Sequence, residues 1–202
     1  MGQWLRRVLI VWLSVVVWML PAHAVAPLYR VMKSQSALSF IGLQQGDKFT
    51  GVFKDFDATI HYTATDLPGS SLDVVIHLPS LDTRSLERDQ ALISAEWFDV
   101  GRFPDARFRT VAIRQTTSGP VGDADLTIKG RTKRIAFPFV WKPTAGGATL
   151  DARVNLNRLD FGLGAGEWAD AGIIGHSVEV VVHLVLTAVP PVAVPAAQPT
   201  RR

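Results

Sequence analysis

The chain has 202 residues, 48% of them hydrophobic, with 21 basic and 18 acidic side chains, a formal net charge of +3 and no cysteine. Without cysteine there is no disulfide, no thiolate nucleophile and no cysteine-ligated metal or haem. A charge this close to neutral lacks the concentrated basic footprint that a nucleic-acid partner leaves, and the length fits one domain with a single core.

Residues 1–24 read as a signal peptide. Arg6 and Arg7 form a basic n-region, Val8 to Leu20 an apolar run, and Ala22-His23-Ala24 a small-x-small cleavage pattern. The run falls short of the ~20 residues of a spanning helix, so the expectation is cleavage after Ala24 and a periplasmic product without stable membrane insertion. Arg6 and Arg7 are the leader's only charges, so the mature net falls to +1.

From Leu28 the pattern has a period of two. Tyr29 and Val31 alternate with Arg30 and Met32, then Leu38 and Phe40 with Ala37 and Ser39, and Gly42, Gly46 and Gly51 punctuate. Thr50 to Thr63 reads as one strand with Val52, Phe56, Ala58, Ile60 and Tyr62 inward and Lys54 breaking the apolar side. A turn at Asp66–Ser71 leads to Leu72, Val74, Ile76 and Leu78, which predicts a hairpin.

Ser80 to Phe108 drops the period of two. Asp82, Thr83 and Ser85 offer side-chain oxygens for a helix cap, and Leu86, Ile93 and Trp97 predict an inward stripe on a short helix over 82–94. Arg84, Glu87, Arg88 and Asp89 crowd its first turns, with Asp82 and Asp89 expected to cap and to pair with the arginines. Trp97, Phe98, Phe103 and Phe108 follow, Pro104 ends any helix, and the segment is expected to cover one mouth of a barrel.

Phe108, Thr110 and Ala112 begin a strand whose pattern muddles near Val111, the signature of a bulge. Ala124, Leu126 and Ile128 precede a turn at Lys129–Thr132, and Ile135, Phe137, Phe139 and Trp141 line the return, with Pro138 marking an edge or a gap in the ladder. Leu150, Ala152, Val154 and Leu156 form another strand, ended by a flexible loop from Phe161 to Gly166. Val178, Val180, Val182, Leu184 and Leu186 make the last, apolar on both faces at its middle and so expected to be covered on both sides. The domain is placed at 25–189, and 190–202, rich in proline and alanine, as a disordered tail.

Eight or more strands with short turns and no βαβ alternation predict an all-β fold, an antiparallel barrel or sandwich. Its nearly charge-free inward parity means either a solid core or an apolar pocket. Gly162, Gly164 and Gly166 have the wrong spacing and setting for a nucleotide loop, and Gly175–Glu179 lacks the second glycine of a nucleophile elbow. His61, His77 and His183 lie on outward parity of separate strands and are read as solvated rather than metal ligands. No cofactor is implied.

The stretch SLDTRSLERDQALISAEWFDVGRFPDARF, with ADLTIKGRTKRIAFPF, RLDFGLG and a terminal apolar strand, resembles the YceI-like family of exported polyisoprenoid-binding proteins. The resemblance runs from about Tyr29 to Ala188. It implies a lipocalin-like extended β-barrel holding an isoprenoid chain, of a quinone or polyprenyl lipid, without catalysis. On it, Phe40, Phe56, Ile76, Trp97, Phe98, Phe103, Phe108, Phe137, Phe139, Val154 and Val180 are the channel candidates, with Trp97 narrowing the mouth. Asp82, Arg84, Arg88 and Asp89 are the head-group candidates.

A tail of eight units buries about 40 carbons, a gross gain on the order of 30 kcal/mol at ~0.8 per methylene, beyond any attainable affinity. Ordering must offset much of it, so a charge-free channel suffices. Two other readings stand beside carriage: a periplasmic enzyme or stress factor acting on an amphiphile near the helix, and an interaction module with a solid core. A homodimer stays open.

Overall fold

The computed structural model describes residues 26–190; the leader and the tail beyond Pro190 lie outside the described residues. Eleven strands form one antiparallel sheet: β1 Leu28–Val31, β2 Ala37–Gln44, β3 Asp47–Phe53, β4 Phe56–His61, β5 Ser71–His77, β6 Leu81–Asp82, β7 Asp105–Thr116, β8 Gly119–Ile128, β9 Arg131–Thr144, β10 Gly147–Asn157 and β11 Ser177–Ala188. Six of them act in tandem. β1 and β2 share one edge of β11, β3 and β4 run on with a two-residue break, and β5 continues into β6. The result is an up-and-down barrel of eight staves, closed where β1 pairs with β11; toward the mouth the β9–β10 ladder stops and β6 pairs only with β3.

The three breaks lie beside one another. Lys33–Gln35 and Leu78–Ser80 are 3-10 turns, and Lys54 and Asp55 stand between β3 and β4. Lys54 N–H donates to the Ser80 carbonyl at 3.2 Å and His77 N–H to that of Asp55 at 3.1 Å, while the Lys33 ammonium meets Asp55 and Asp57, each at 2.8 Å. The break also corrects the reading of 50–63 as one strand. Two residues between Phe53 and Phe56 switch the inward parity, so Phe49, Gly51 and Phe53 face in above it and Phe56, Ala58 and Ile60 below. Lys54 is not an inward charge; it is exposed and pairs with Asp82 at 2.6 Å.

Elsewhere the alternation holds. The β4–β5 hairpin forms, and the β7–β8 register shifts between Thr110 and Ala112, which pushes Val111 outward. The β9–β10 ladder ends at Phe139 opposite Ala152, so Pro138 stands just past it, where no donor is required on that side. Two expectations change. Val181 and Val185 on the outer face of β11 are only half-buried, and residues 161–166 follow a 3-10 turn, Arg158–Phe161, with Phe161 and Leu163 buried, instead of a flexible loop.

The interior is solid at one end only. Tyr62 packs on Phe139 at 5.4 Å and on Trp141 at 4.6 Å, and Tyr29 closes on Trp141 at 4.9 Å, near the β4–β5 and β9–β10 turns. The other end gathers the β2–β3 and β8–β9 turns, the α-helix α1 (Leu86–Ile93) and the segment 158–176.

An apolar cavity and its mouth

Above the aromatic floor the barrel holds a cavity of about 170 Å³ with no polar atom on its exposed wall. A hole of similar size lined by Leu, Ile and Phe, about 150 Å³, stays dry and accepts apolar guests. Phe40, Phe56, Ile76, Phe108, Phe137, Val154 and Val180 line it, with Trp97 and Phe98 at its upper end. Two selected residues do not. Phe139 belongs to the floor beneath, and Phe103 is half-buried outside, its ring packed where a Gly130 side chain would stand and under the Arg102 guanidinium at 5.2 Å.

Gly42 and Gly51 are not turn residues but part of this wall. Phe40 stands opposite Gly51 and Phe49 opposite Gly42 across the β2–β3 pair. A Cβ on Gly51 would come within 2.3 Å of the Phe40 ring and one on Gly42 within 2.7 Å of Phe49. Each ring lies against the strand where its partner has no side chain, and the space in front stays open.

At the mouth, α1 corrects the expected stripe. Ser85 is the N-cap, accepting from Arg88 N–H at 3.4 Å, and the inward residue is Leu92, 7% exposed, while Leu86 is 75% and Ile93 42% exposed. Trp97 lies past the helix end. The reason is geometric: 86 and 93 share a face, but that face points away from the barrel, and Arg88 and Leu92, one turn apart, share the one that points in.

A second hollow of about 180 Å³ adjoins the cavity and shares Phe49, Leu92, Trp97 and Ile174 with it. Gln44, Ser85, Glu87, Arg88, Ala91 and Trp168 complete this vestibule, whose wall mixes polar and apolar groups. Of the four head-group candidates the structure brings only Arg88 here. Its guanidinium lies 4.4 Å over the Phe49 ring and donates from Nε to Gln44 Oε1 at 3.2 Å. Asp89 accepts from Thr83 N–H and Oγ1 at 2.9 and 2.6 Å. Asp82 is held by Lys54, which lowers its pKa, and accepts from Arg84 N–H at 2.7 Å. Neither acid pairs with an arginine side chain as expected; Arg84 is exposed with φ +60°.

The residue that sequence reading missed is Arg158. It is 2% exposed, and its guanidinium donates to five carbonyls: Nε to Gly175 at 3.0 Å, Nη1 to Leu163 and Gly164 at 2.7 Å each, Nη2 to Trp168 at 2.5 Å and Ile174 at 2.9 Å. It lies 5.3 Å over the Trp97 ring. Burial pushes its pKa down, but a guanidinium stays charged in proteins. One side chain therefore folds 158–176 over the mouth. Trp168 Nε1 donates to Glu96 at 2.7 Å, Gly175 N–H to the Leu43 carbonyl at 2.9 Å, and Lys129 Nζ to the Gly162 carbonyl at 3.4 Å, all fastening this lid to its surroundings.

The three strand histidines sit on the outer surface against acids or backbone: His77 with Asp105 at 2.7 Å and Asp57 at 3.2 Å, His183 with Asp151 at 2.6 Å, His61 with the Ala26 carbonyl at 3.2 Å. Each has its own partner, and no three are brought together.

The sequence profile of the YceI-like domain matches residues 29–186. A UPF0312 protein of Pseudomonas putida is 34% identical over 122 residues, 56% of this chain and 62% of that one, and UPF0312 protein YE1254 of Yersinia enterocolitica is 29% identical over 142, 66% and 71%. The chain thus spans about three-fifths of the length of the P. putida relative. Among solved structures, Burkholderia cenocepacia BcnA superposes with a TM-score of 0.73 at 26% identity, over 76% of this chain and 98% of its own. A polyisoprenoid binding domain from Saccharophagus degradans implicated in plant cell wall breakdown shares the fold, with a TM-score of 0.60 at 15% identity over 79% and 98%. With its profile matched along nearly the whole barrel and its fold shared with these structures, the chain belongs to the YceI-like family.

Proposed function

We propose that this protein binds and carries a lipid with an isoprenoid chain in the barrel cavity, non-catalytically, in the periplasm after loss of its leader. The observation that carries the reading is the pairing of a carbon-lined cavity with a vestibule of mixed polarity where Glu87 and Arg88 stand, the Arg88 guanidinium bonded to Gln44 rather than to a carboxylate. An amphiphile has that shape of polarity: a tail for the first space and a head for the second. The solved polyisoprenoid binding domain of the same fold supports the choice of tail. No acid, base or nucleophile reaches the cavity, and the one polar side chain at its wall, Arg158, is committed to backbone.

Native mass spectrometry of gently purified protein tests this, followed by titration of the delipidated protein with geranylgeraniol read by tryptophan fluorescence. A co-purified isoprenoid lipid, or saturable one-to-one binding that quenches Trp97, is the expected result. An empty protein that also fails to bind the alcohol overturns the reading in favour of an interaction module.

A further inference from the structure

The barrel wall is interrupted beside the cavity, and the inference drawn from that interruption rests on the carriage reading above. We propose that the seam between β9 and β10 is the door through which the lipid passes, and that Arg131 and Lys133 dock this side of the barrel on the anionic head groups of a bilayer.

The seam follows from the register. The β9–β10 ladder ends at Phe139 opposite Ala152, so among the described residues 131–138 of β9 pair with β8 alone and 153–157 of β10 with β11 alone. Pro138, the next residue of β9, has no N–H with which to carry the ladder on. Directly behind the seam stand Ile135, Phe137, Val154 and Leu156, all lining the cavity. In front of it Ala136, Pro138 and Asn155 are exposed and too small to cover it, and Arg153 is drawn away to Glu179 on β11 at 3.0 Å. At the mouth end the Arg131 side chain closes the seam by lying against Gly162, where an added Cβ would stand 2.8 Å from its Cζ.

The mouth is the poorer route. Arg158 holds 158–176 over it through five carbonyls, and a tail entering there has to break that clamp. Near β6 the buried Phe98 packs edge-on to Phe53 at 6.2 Å and closes the wall. At the seam no ladder bond stands in the way. The tail cannot cross water to reach it, because each methylene left in water lowers partition about fourfold, so the door has to meet the bilayer directly. What the seam offers a bilayer is charge. Arg131 and Lys133 share the parity of Ile135 and stand opposite Ile128 and Leu126, yet both are exposed. Arg134 is held by Asp125 at 2.6 Å, whereas neither of these two joins an ion pair among the described residues, and Asp160, the exposed acid of the adjoining turn, binds neither. Head-group phosphates supply the missing partner next to the apolar opening.

Flotation of the intact protein with vesicles tests the docking surface, using phosphatidylcholine alone or mixed with phosphatidylglycerol. Each cation near an anionic surface is worth about fivefold in affinity, so Arg131→Gln with Lys133→Gln should weaken binding to the anionic vesicles by about 25-fold. Raised salt should weaken the parent as well, and Arg30→Gln, exposed at the floor end, should leave binding unchanged. A parent that binds both vesicles alike, or a double variant that binds as the parent does, overturns the proposal. For the door, the chain has no cysteine and can take a single pair, Ala136→Cys with Asn155→Cys, which a continued ladder would set opposite each other. Tied after folding by a short bismaleimide, the delipidated protein should take up geranylgeraniol from anionic vesicles roughly tenfold more slowly than the same variant blocked with N-ethylmaleimide. Equal rates put the entrance at the mouth and overturn the proposal. Failure of geranylgeraniol to bind the parent even from detergent solution overturns the carriage reading itself, whereas binding from detergent without preference for anionic vesicles overturns this inference alone.

Discussion

Arg158→Met removes the five-carbonyl clamp while keeping a side chain of comparable length. Hydrogen bonds to a charged group are worth ~1.5–3 kcal/mol each, so five of them amount to a gross ~10 kcal/mol. The desolvation of a fully buried guanidinium takes back several kcal/mol, and some of the released carbonyls would find water once the lid loosens. The expected net loss is about 3 kcal/mol. For a barrel of this size, at ~2–4 °C per kcal/mol, that is a fall in melting temperature of roughly 6–12 °C. If the lid opens on its own, the loss appears locally: 165–173 becomes a protease site while the barrel stays folded. Thermal melting and limited proteolysis together detect either result, and Arg158→Lys, with fewer donors, should lie between. A methionine variant that melts within ~2 °C of the parent and resists protease would refute the view that this side chain holds the mouth together.

Leu92→Ala should cost about 2–4 kcal/mol as a buried leucine truncated beside a cavity, whereas Leu86→Ser should stay within ~0.5 kcal/mol; denaturant melts of the pair would expose a wrongly faced helix by reversing that order. His77 has its pKa raised above 6.5 by Asp105 first and then Asp57. Its contribution is thus complete below that value and lost as pH rises through the folded pKa. The melting-temperature gap between the parent and His77→Gln should therefore narrow from about pH 6 to pH 8, and a gap that widens would contradict the pairing. Ile76→Lys should leave a folded but weakened protein that binds no isoprenoid, since its ammonium can reach water only by flooding the cavity; unimpaired binding would mean that Ile76 does not line the ligand space.

The barrel was legible because most staves obey strict alternation, and residues such as Leu72, Val74, Ile76, Leu150 and Val154 follow from parity alone. The failures have distinct causes. A charge on the apolar parity, Lys54, marks the point where the strand breaks and the parity switches, while alternation alone makes it an exception within one strand. Two apolar residues seven apart on α1 define a face without saying which way it points; the inward face carries Arg88, whose charge hid it, stacked on Phe49 with its Nε donating to Gln44. Arg158 left no trace in composition or spacing, because its partners are backbone carbonyls contributed by Leu163, Gly164, Trp168, Ile174 and Gly175. Sequence encodes carbonyls at every position alike.

Whether the interior is hollow or solid is the least legible property of all, and Phe137 and Phe139 show why. They are the same residue type on the same strand and the same parity, yet one walls the cavity and the other floors it. What separates them is their surroundings. Phe137 stands opposite Gly122 on β8, at a level where Phe40 and Phe49 lie back against Gly51 and Gly42. Phe139 meets Tyr62 edge-on, ring filling the space before ring. Hollow space therefore arises where large side chains face small ones and lie aside, and disappears where large face large. Because inward positions recur every second residue, moving one bulky ring by a single inward position shifts the floor by ~6.6 Å along the strand, roughly 5 Å along the barrel axis at a tilt of roughly 35–45°. One aromatic exchanged for a small residue on β4 or β9 would thus change the depth of the cavity, a change that composition and periodicity would not register.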